Sequence, residues 1–263
     1  MHDFAYILAG FLVGSIVGLT GVGGGSLMTP ILIFLFGIKP YLAVGTDLLF
    51  AAFTKMGGTI KMARARRVDW PIVRTLCAGS IPASLITLYL LERLGPADAH
   101  VQSAMTTTLG LALLLTAGAT LYKALRGKAS PQAVLLGQER NAITPRHWSL
   151  PLLFGAFIGS LVTLTSVGAG AIGVTVLMLL YPRLPLSRIV AADIAYAVPL
   201  TLVAGLGHAS LGSVDWHMLA LLLCGSLPGI WVGSHWMTKT PERLIRSILS
   251  LLLAYAGFKL IAL

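Results

Sequence analysis

The sequence predicts an all-α polytopic membrane protein made of two inverted-topology repeats, each a glycine-broken helical hairpin followed by three transmembrane helices. Composition supplies the first ground. Of 263 residues, 56% are hydrophobic and 11% charged, and the mean hydropathy is +0.86, where soluble domains carry roughly 25% charge. The second ground is a segment written twice: Gly10-Phe-Leu-Val-Gly-Ser-Ile-Val-Gly-Leu-Thr-Gly-Val-Gly-Gly-Gly25 returns as Gly155-Ala-Phe-Ile-Gly-Ser-Leu-Val-Thr-Leu-Thr-Ser-Val-Gly-Ala-Gly170. The register continues, with Asp47 matching Asp193, Asp69-Trp70 matching Asp215-Trp216, and Gly79-Ser-Ile-Pro82 matching Gly225-Ser-Leu-Pro228. The third ground is the placement of Lys and Arg, which alternates between the halves.

Residues 4–37 form an apolar stretch interrupted at Gly21-Val-Gly-Gly-Gly25. It is too long for one straight span, which needs about 20 residues, and glycines each cost a helix about 1 kcal/mol. A hairpin of two helices follows. Further spans are expected near 41–60, 72–91 and 101–123, and the polar stretch 126–147 reads as a linker. The second half repeats the plan with a hairpin at 148–181 and spans near 186–206, 217–237 and 243–262. The chain thus divides into a first transmembrane repeat, 1–125, a cytoplasmic linker, 126–147, and a second repeat, 148–263. Period-2 alternation is absent, and lipid admits only helices or closed barrels. The start lacks a basic n-region and an A-x-A-like cleavage site, so the first apolar run is expected to be retained.

Short basic loops stay cytoplasmic. The cluster Lys61, Arg64, Arg66 and Arg67 is placed inside, which puts Glu92–His100 outside and the linker inside again. The equivalent loop of the second half, Gly207–Val214, has no Lys or Arg and is expected outside. The same unit is therefore inserted in opposite senses. Uncharged tips and the short second arm, Ser26–Phe36, favour re-entrant hairpins that meet near the midplane over ten complete crossings. Interrupted helices at matching places in two repeats point to a transport site.

At the first tip the candidate ligands are Thr20, Gly21, Gly23, Gly24, Gly25 and Ser26; at the second they are Thr165, Ser166, Gly168 and Gly170. Missing side chains let backbone N–H groups approach a ligand, and the helix beyond each tip presents the positive end of its dipole. Such a site suits a small anion. Close helix packing by small residues is the competing explanation of the glycines. The tip is no nucleotide loop, since no Lys-Ser or Lys-Thr follows it.

Asp47 and Asp193 lie about two turns inside their spans, where a carboxylate costs on the order of 2.5 to 3.5 kcal/mol. Either they carry a coupling proton or they cap the adjacent hairpin. Lys55 follows Asp47 on the same helix, about 12 Å along the axis, and either attracts an anion or snorkels toward the basic loop. Its counterpart is Thr201. His208, at a span end, is a candidate relay or a polar helix end. Pro82 and Pro228 are expected to kink their spans. Cys77 and Cys224 have no C-x-x-C spacing, and the six His are scattered, so no metal, cofactor or enzymatic site is expected.

The duplicated tips, the segment Ala43-Val-Gly-Thr-Asp47 and the Gly-Ser-x-Pro elements resemble the sulfite exporter family (TauE/SafE, also called TSUP) over nearly the full chain. The second tip departs from the pattern, with Ser166 and Ala169 in place of Gly21 and Gly24, so the first tip is expected to dominate ligand contacts. The resemblance implies a secondary transporter that exports a small sulfur-containing anion, sulfite or an organosulfonate, with proton coupling and alternating access. An uncoupled anion channel or an importer of another small anion is the alternative. The expected partners are a small anionic substrate, protons and membrane lipid, not nucleic acid, with a homodimer left open. The expected location is the plasma membrane, as a bacterial inner-membrane protein.

Overall fold

The computed structural model describes residues 2–20, 25–125, 149–182, 184–236 and 242–262. These form ten helices: α1 (His2–Thr20), α2 (Gly25–Phe36), α3 (Pro40–Arg64), α4 (Trp70–Leu94), α5 (Ala99–Leu125), α6 (Ser149–Thr165), α7 (Ala171–Leu180), α8 (Leu186–Ser210), α9 (Trp216–Trp236) and α10 (Glu242–Ile261). Among the described residues, α4, α5, α8 and α9 are long and apolar enough to cross a membrane. Helix α3 matches α4 in length but carries Asp47, Lys55, Lys61 and Arg64. The second arms are much shorter. Helices α2 and α7, with 12 and 10 residues, reach about 18 and 15 Å at 1.5 Å per residue, against a hydrocarbon core of about 30 Å.

The outer surface is apolar. Leu85, Ile86, Tyr89 and Leu90 on α4, and Leu251, Leu252, Tyr255 and Phe258 on α10, are all exposed, an arrangement stable only against lipid. Trp70 and Trp216, at the starts of α4 and α9, are exposed as well, and indole rings favour the headgroup level.

The halves interlock through two parallel helix pairs. Helix α1 of the first half packs on α9 of the second, and α6 of the second packs on α4 of the first. Glycines set both seams. A Cβ at Gly10, Gly14 or Gly18 would strike the backbone of Leu222, Ser226 or Ile230, and one at Gly225, Gly229 or Gly233 would strike Ile7, Phe11 or Ser15. The other pair repeats this with Gly155 against Leu76, Gly159 against Ser80 and Gly79 against Leu152. The ascending order on both sides makes each pair parallel. Backbones at such close range gain dispersion energy that larger residues would forfeit.

Helices α3 and α8 also pack together, in the opposite sense. Gly45 abuts Ser213 and His208, Gly205 abuts Leu49, and Thr59 Oγ1 donates to the Ile194 carbonyl at 3.4 Å. Helix α5 packs on α10. Each hairpin begins and ends at one end of the bundle. For the first, Asp3 faces His217 at 3.4 Å, the Tyr6 and Phe36 rings lie 4.6 Å apart, and the Asp215 amide donates to Thr46 Oγ1 at 3.0 Å. For the second, α6 starts beside the start of α4, and Arg188, just past α7, meets Asp69. That contact also puts the start of α8 at the same end as the basic loop between α3 and α4.

Candidate functional site

The second tip shows how the sequence breaks a helix. Thr165 Oγ1 donates to the Leu161 carbonyl at 2.6 Å and accepts from the Val167 amide at 3.1 Å, which closes α6. Ser166 then takes φ 58°, and Gly168 and Gly170 take φ 127° and 131°, where a Cβ is strained. The Gly173 amide bonds the Gly168 carbonyl at 3.1 Å, so α7 starts with no side-chain cap at Gly170. Thr165 is therefore committed to the turn itself. Ser166 is buried with its Oγ unpartnered among the described residues. Of the first tip, Gly21, Gly23 and Gly24 lie outside the described residues, as do the side chains of Thr20 and Ser26; Gly25 opens α2.

Both aspartates turn toward the second arm of their own hairpin. Asp47 is fully buried, and Thr29 Oγ1, one turn into α2, donates to its Oδ2. Its Oδ1 has no hydrogen-bond partner among the described residues. The Ser166 side chain faces the same carboxylate from the second tip. Asp193, also buried, lays Oδ1 against the Cα of Gly173 in the first turn of α7, where the helix dipole favours negative charge.

Lys55 lies between them along the bundle. It is 6% exposed, and its Nζ points to the Ala169 carbonyl of the second tip at 3.4 Å. Snorkelling toward the basic loop is thus replaced by a buried ammonium at a helix break. Asp47 and Asp193 are its charged neighbours, yet it makes no ion pair among the described residues. Its counterpart Thr201 is buried and donates to the Ala197 carbonyl at 2.8 Å, so the pseudo-symmetry is broken by one positive charge.

His208 is fully buried rather than interfacial. Its Nε2 lies 2.9 Å from the Thr163 carbonyl, and Thr163 Oγ1 meets Ser84 Oγ at 2.7 Å. The ring therefore belongs to the contact of α8 with α6 and α4. Cys77 and Cys224 are both free thiols. Sequence reasoning missed Thr29, whose signal is its place one helical turn after Gly25, and the link between Ser166 and Asp47, which no local pattern carries.

The structure brings together Asp47, Asp193, Lys55, Ser166 and the Ala169 carbonyl, with Gly168 and Gly170 shaping the turn. An intramembrane cluster of this kind, beside broken helices, is the arrangement found at ion and substrate pathways. Comparison with known proteins gives membrane transporters as relatives. The chain is 36% identical to the probable membrane transporter protein YjnA of Bacillus subtilis (strain 168), over 97% of this chain and 98% of that one. It is 26% identical to the probable membrane transporter protein YunE of the same organism, over 95% and 97% of the two chains. The probable membrane transporter protein MJ0441 of Methanocaldococcus jannaschii is 27% identical over 76% of this chain and 69% of its own. No solved structure matches the chain. The family model for sulfite exporter TauE/SafE matches residues 6–260, and the chain belongs to this family of membrane transporters.

Proposed function

We propose that the protein is a secondary transporter that exports a small sulfur oxyanion, sulfite or a sulfonate, across the plasma membrane with proton coupling. The observation that carries this reading is Lys55, a buried ammonium without an ion pair among the described residues, held at the second tip beside two intramembrane carboxylates. A buried cation is costly unless something compensates it, and an anion that binds there supplies the compensation. The ammonium offers an anion its charged contact, and family membership suggests the sulfur chemistry.

Residues 1–125 and 148–263 act as two inverted-topology units joined by a cytoplasmic linker at 126–147. Antiparallel packing of the equivalent helices α3 and α8, and hairpins that return to opposite ends of the bundle, support this division. The short arms α2 and α7 support re-entrant hairpins. Rocking of the units about the shared cluster then exposes it to each side in turn.

Efflux of sulfite from loaded proteoliposomes, with and without an imposed pH gradient, tests the reading. Saturable efflux that responds to the gradient is expected. Efflux that ignores pH and does not saturate marks an uncoupled channel, and no efflux from folded protein removes sulfite as substrate.

A further inference from the structure

Among the described residues the buried charged side chains near the break are two carboxylates, Asp47 and Asp193, and one ammonium, Lys55. With all three ionised, the cluster carries a single net negative charge. A monovalent anion on Lys55 would add a second, in a setting where water cannot screen it. One proton restores the original charge, and the geometry offers it a particular place.

Asp47 Oδ2 accepts from the Thr29 hydroxyl, while Oδ1 has no geometric hydrogen bond among the described residues. Ser166, also buried, turns its side chain to that carboxylate. The Ser166 hydroxyl can donate to the ionised carboxylate, so Asp47 is served when it is charged. The same hydroxyl can accept from a carboxyl O–H, so Asp47 keeps a partner in both protonation states. Asp193 differs, because it already lies against the first turn of α7, which suits its ionised form.

Resting on the transport reading above, we infer that the anion binds at Lys55 together with one proton on Asp47 Oδ1, handed toward Ser166 Oγ, so that loaded and empty carriers bear equal charge. The proton comes from water on the loading side, forms the carboxyl O–H and returns to water on the opposite side. No other bond changes. Net transport is then electroneutral, one proton per monovalent anion.

The other groups around the pair do not offer the same exchange. Helix α8 contributes Asp193, Tyr196 and His208, the last held on the Thr163 carbonyl, and Arg188, engaged with Asp69. Helix α2 contributes Thr29. On α9, His217 faces Asp3 and is exposed, and His235 is exposed too. Helices α5 and α6 contribute no buried titratable side chain among the described residues.

The test counts protons taken up by purified protein in weak buffer, with a pH-indicator dye, as methanesulfonate, nitrate or sulfite is added. Methanesulfonate and nitrate do not titrate near neutral pH; the sulfite count is referred to the same titration of Asp47→Asn. One proton taken up per anion bound is expected, with affinity weakening about tenfold per pH unit above the transition. Asp47→Asn, whose amide can donate to Ser166 as the carboxyl does, should bind the anion without proton uptake and without pH dependence. Ser166→Ala should retain binding but move the pH transition upward, because the ionised carboxylate loses a hydroxyl donor, the stronger of the two bonds Ser166 can make with it.

Anion binding without proton uptake overturns the inference, as does uptake that survives in Asp47→Asn or failure of every probe anion to bind. Proton-linked binding of methanesulfonate or nitrate without sulfite binding leaves the inference standing and removes sulfite. Proton-free sulfite binding does the reverse.

Discussion

Arg188 Nη2 meets Asp69 Oδ1 across the boundary between the halves, joining the first turn of α8 to the residue that precedes α4. Asp69 is 3% and Arg188 24% exposed, so the pair is screened less than a surface bridge. The equivalent Asp215 instead accepts from the Met218 amide at 2.9 Å and has no arginine opposite it among the described residues, Leu42 standing where the second half has Arg188. One end of the bundle is thus clamped by charge and the other by a cap.

Removing Arg188 takes a charged partner from a buried carboxylate, and the expected cost is roughly 1 to 3 kcal/mol, below that of a fully buried pair. Thermal unfolding in detergent should show Arg188→Ala less stable than wild type. The double variant Asp69→Asn, Arg188→Gln should recover part of the loss. Equal stability of the single and wild-type proteins would deny the clamp any energetic role.

The glycine seams make a contrasting pair of predictions. At Gly14 a Cβ would collide with the Ser226 backbone, so Gly14→Val should separate α1 from α9 at a cost of about 1 to 3 kcal/mol. At Gly57, on α3, nothing lies within 4 Å of the added Cβ, and Gly57→Ala should be neutral or stabilising by up to about 1 kcal/mol. Thermal midpoints of the two variants, compared at matched detergent, separate packing from propensity.

Much of the helix plan was legible because hydropathy and glycine breaks act locally. The expected spans near 72–91 and 186–206 lie within α4 and α8. The pairing of α1 with α9, and of α6 with α4, was not legible. Glycines at 10, 14 and 18 signal a close neighbour, but nothing in a helix names which neighbour. Lys55 shows a different limit. Its spacing from the basic loop allowed snorkelling, and only the position of the Ala169 carbonyl, from the far half of the chain, turns it inward. His208 likewise reads as a helix end until α6 is packed over it.

Orientation has its own check. Arg64 and Gly212 are both exposed, at the end of α3 and in the turn after α8, and antiparallel packing of α3 and α8 puts Gly212 near Gly45, at the far end of α3. In a background lacking Cys77 and Cys224, Arg64→Cys should react only with reagent on the cytoplasmic side and Gly212→Cys only with reagent outside. Labelling of both from one side would sink the inverted arrangement.

Lys55 separates stability from function most sharply. Methionine has nearly the same length and no charge, so Lys55→Met removes the burden of a buried ammonium whose single hydrogen bond in the described structure is the 3.4 Å contact to Ala169. Replacing buried charge by an apolar side chain of similar volume is often neutral or stabilising. The thermal midpoint of Lys55→Met is therefore expected to equal or exceed that of wild type, while anion efflux falls at least about tenfold, a loss of roughly 1.4 kcal/mol in site affinity. Lys55→Arg keeps the charge but enlarges the head group, and should retain binding with altered preference among anions of different size. Should Lys55→Met transport at the wild-type rate, the ammonium would be a structural tie to the second tip, and the anion would have to be held by the backbone of the tips alone.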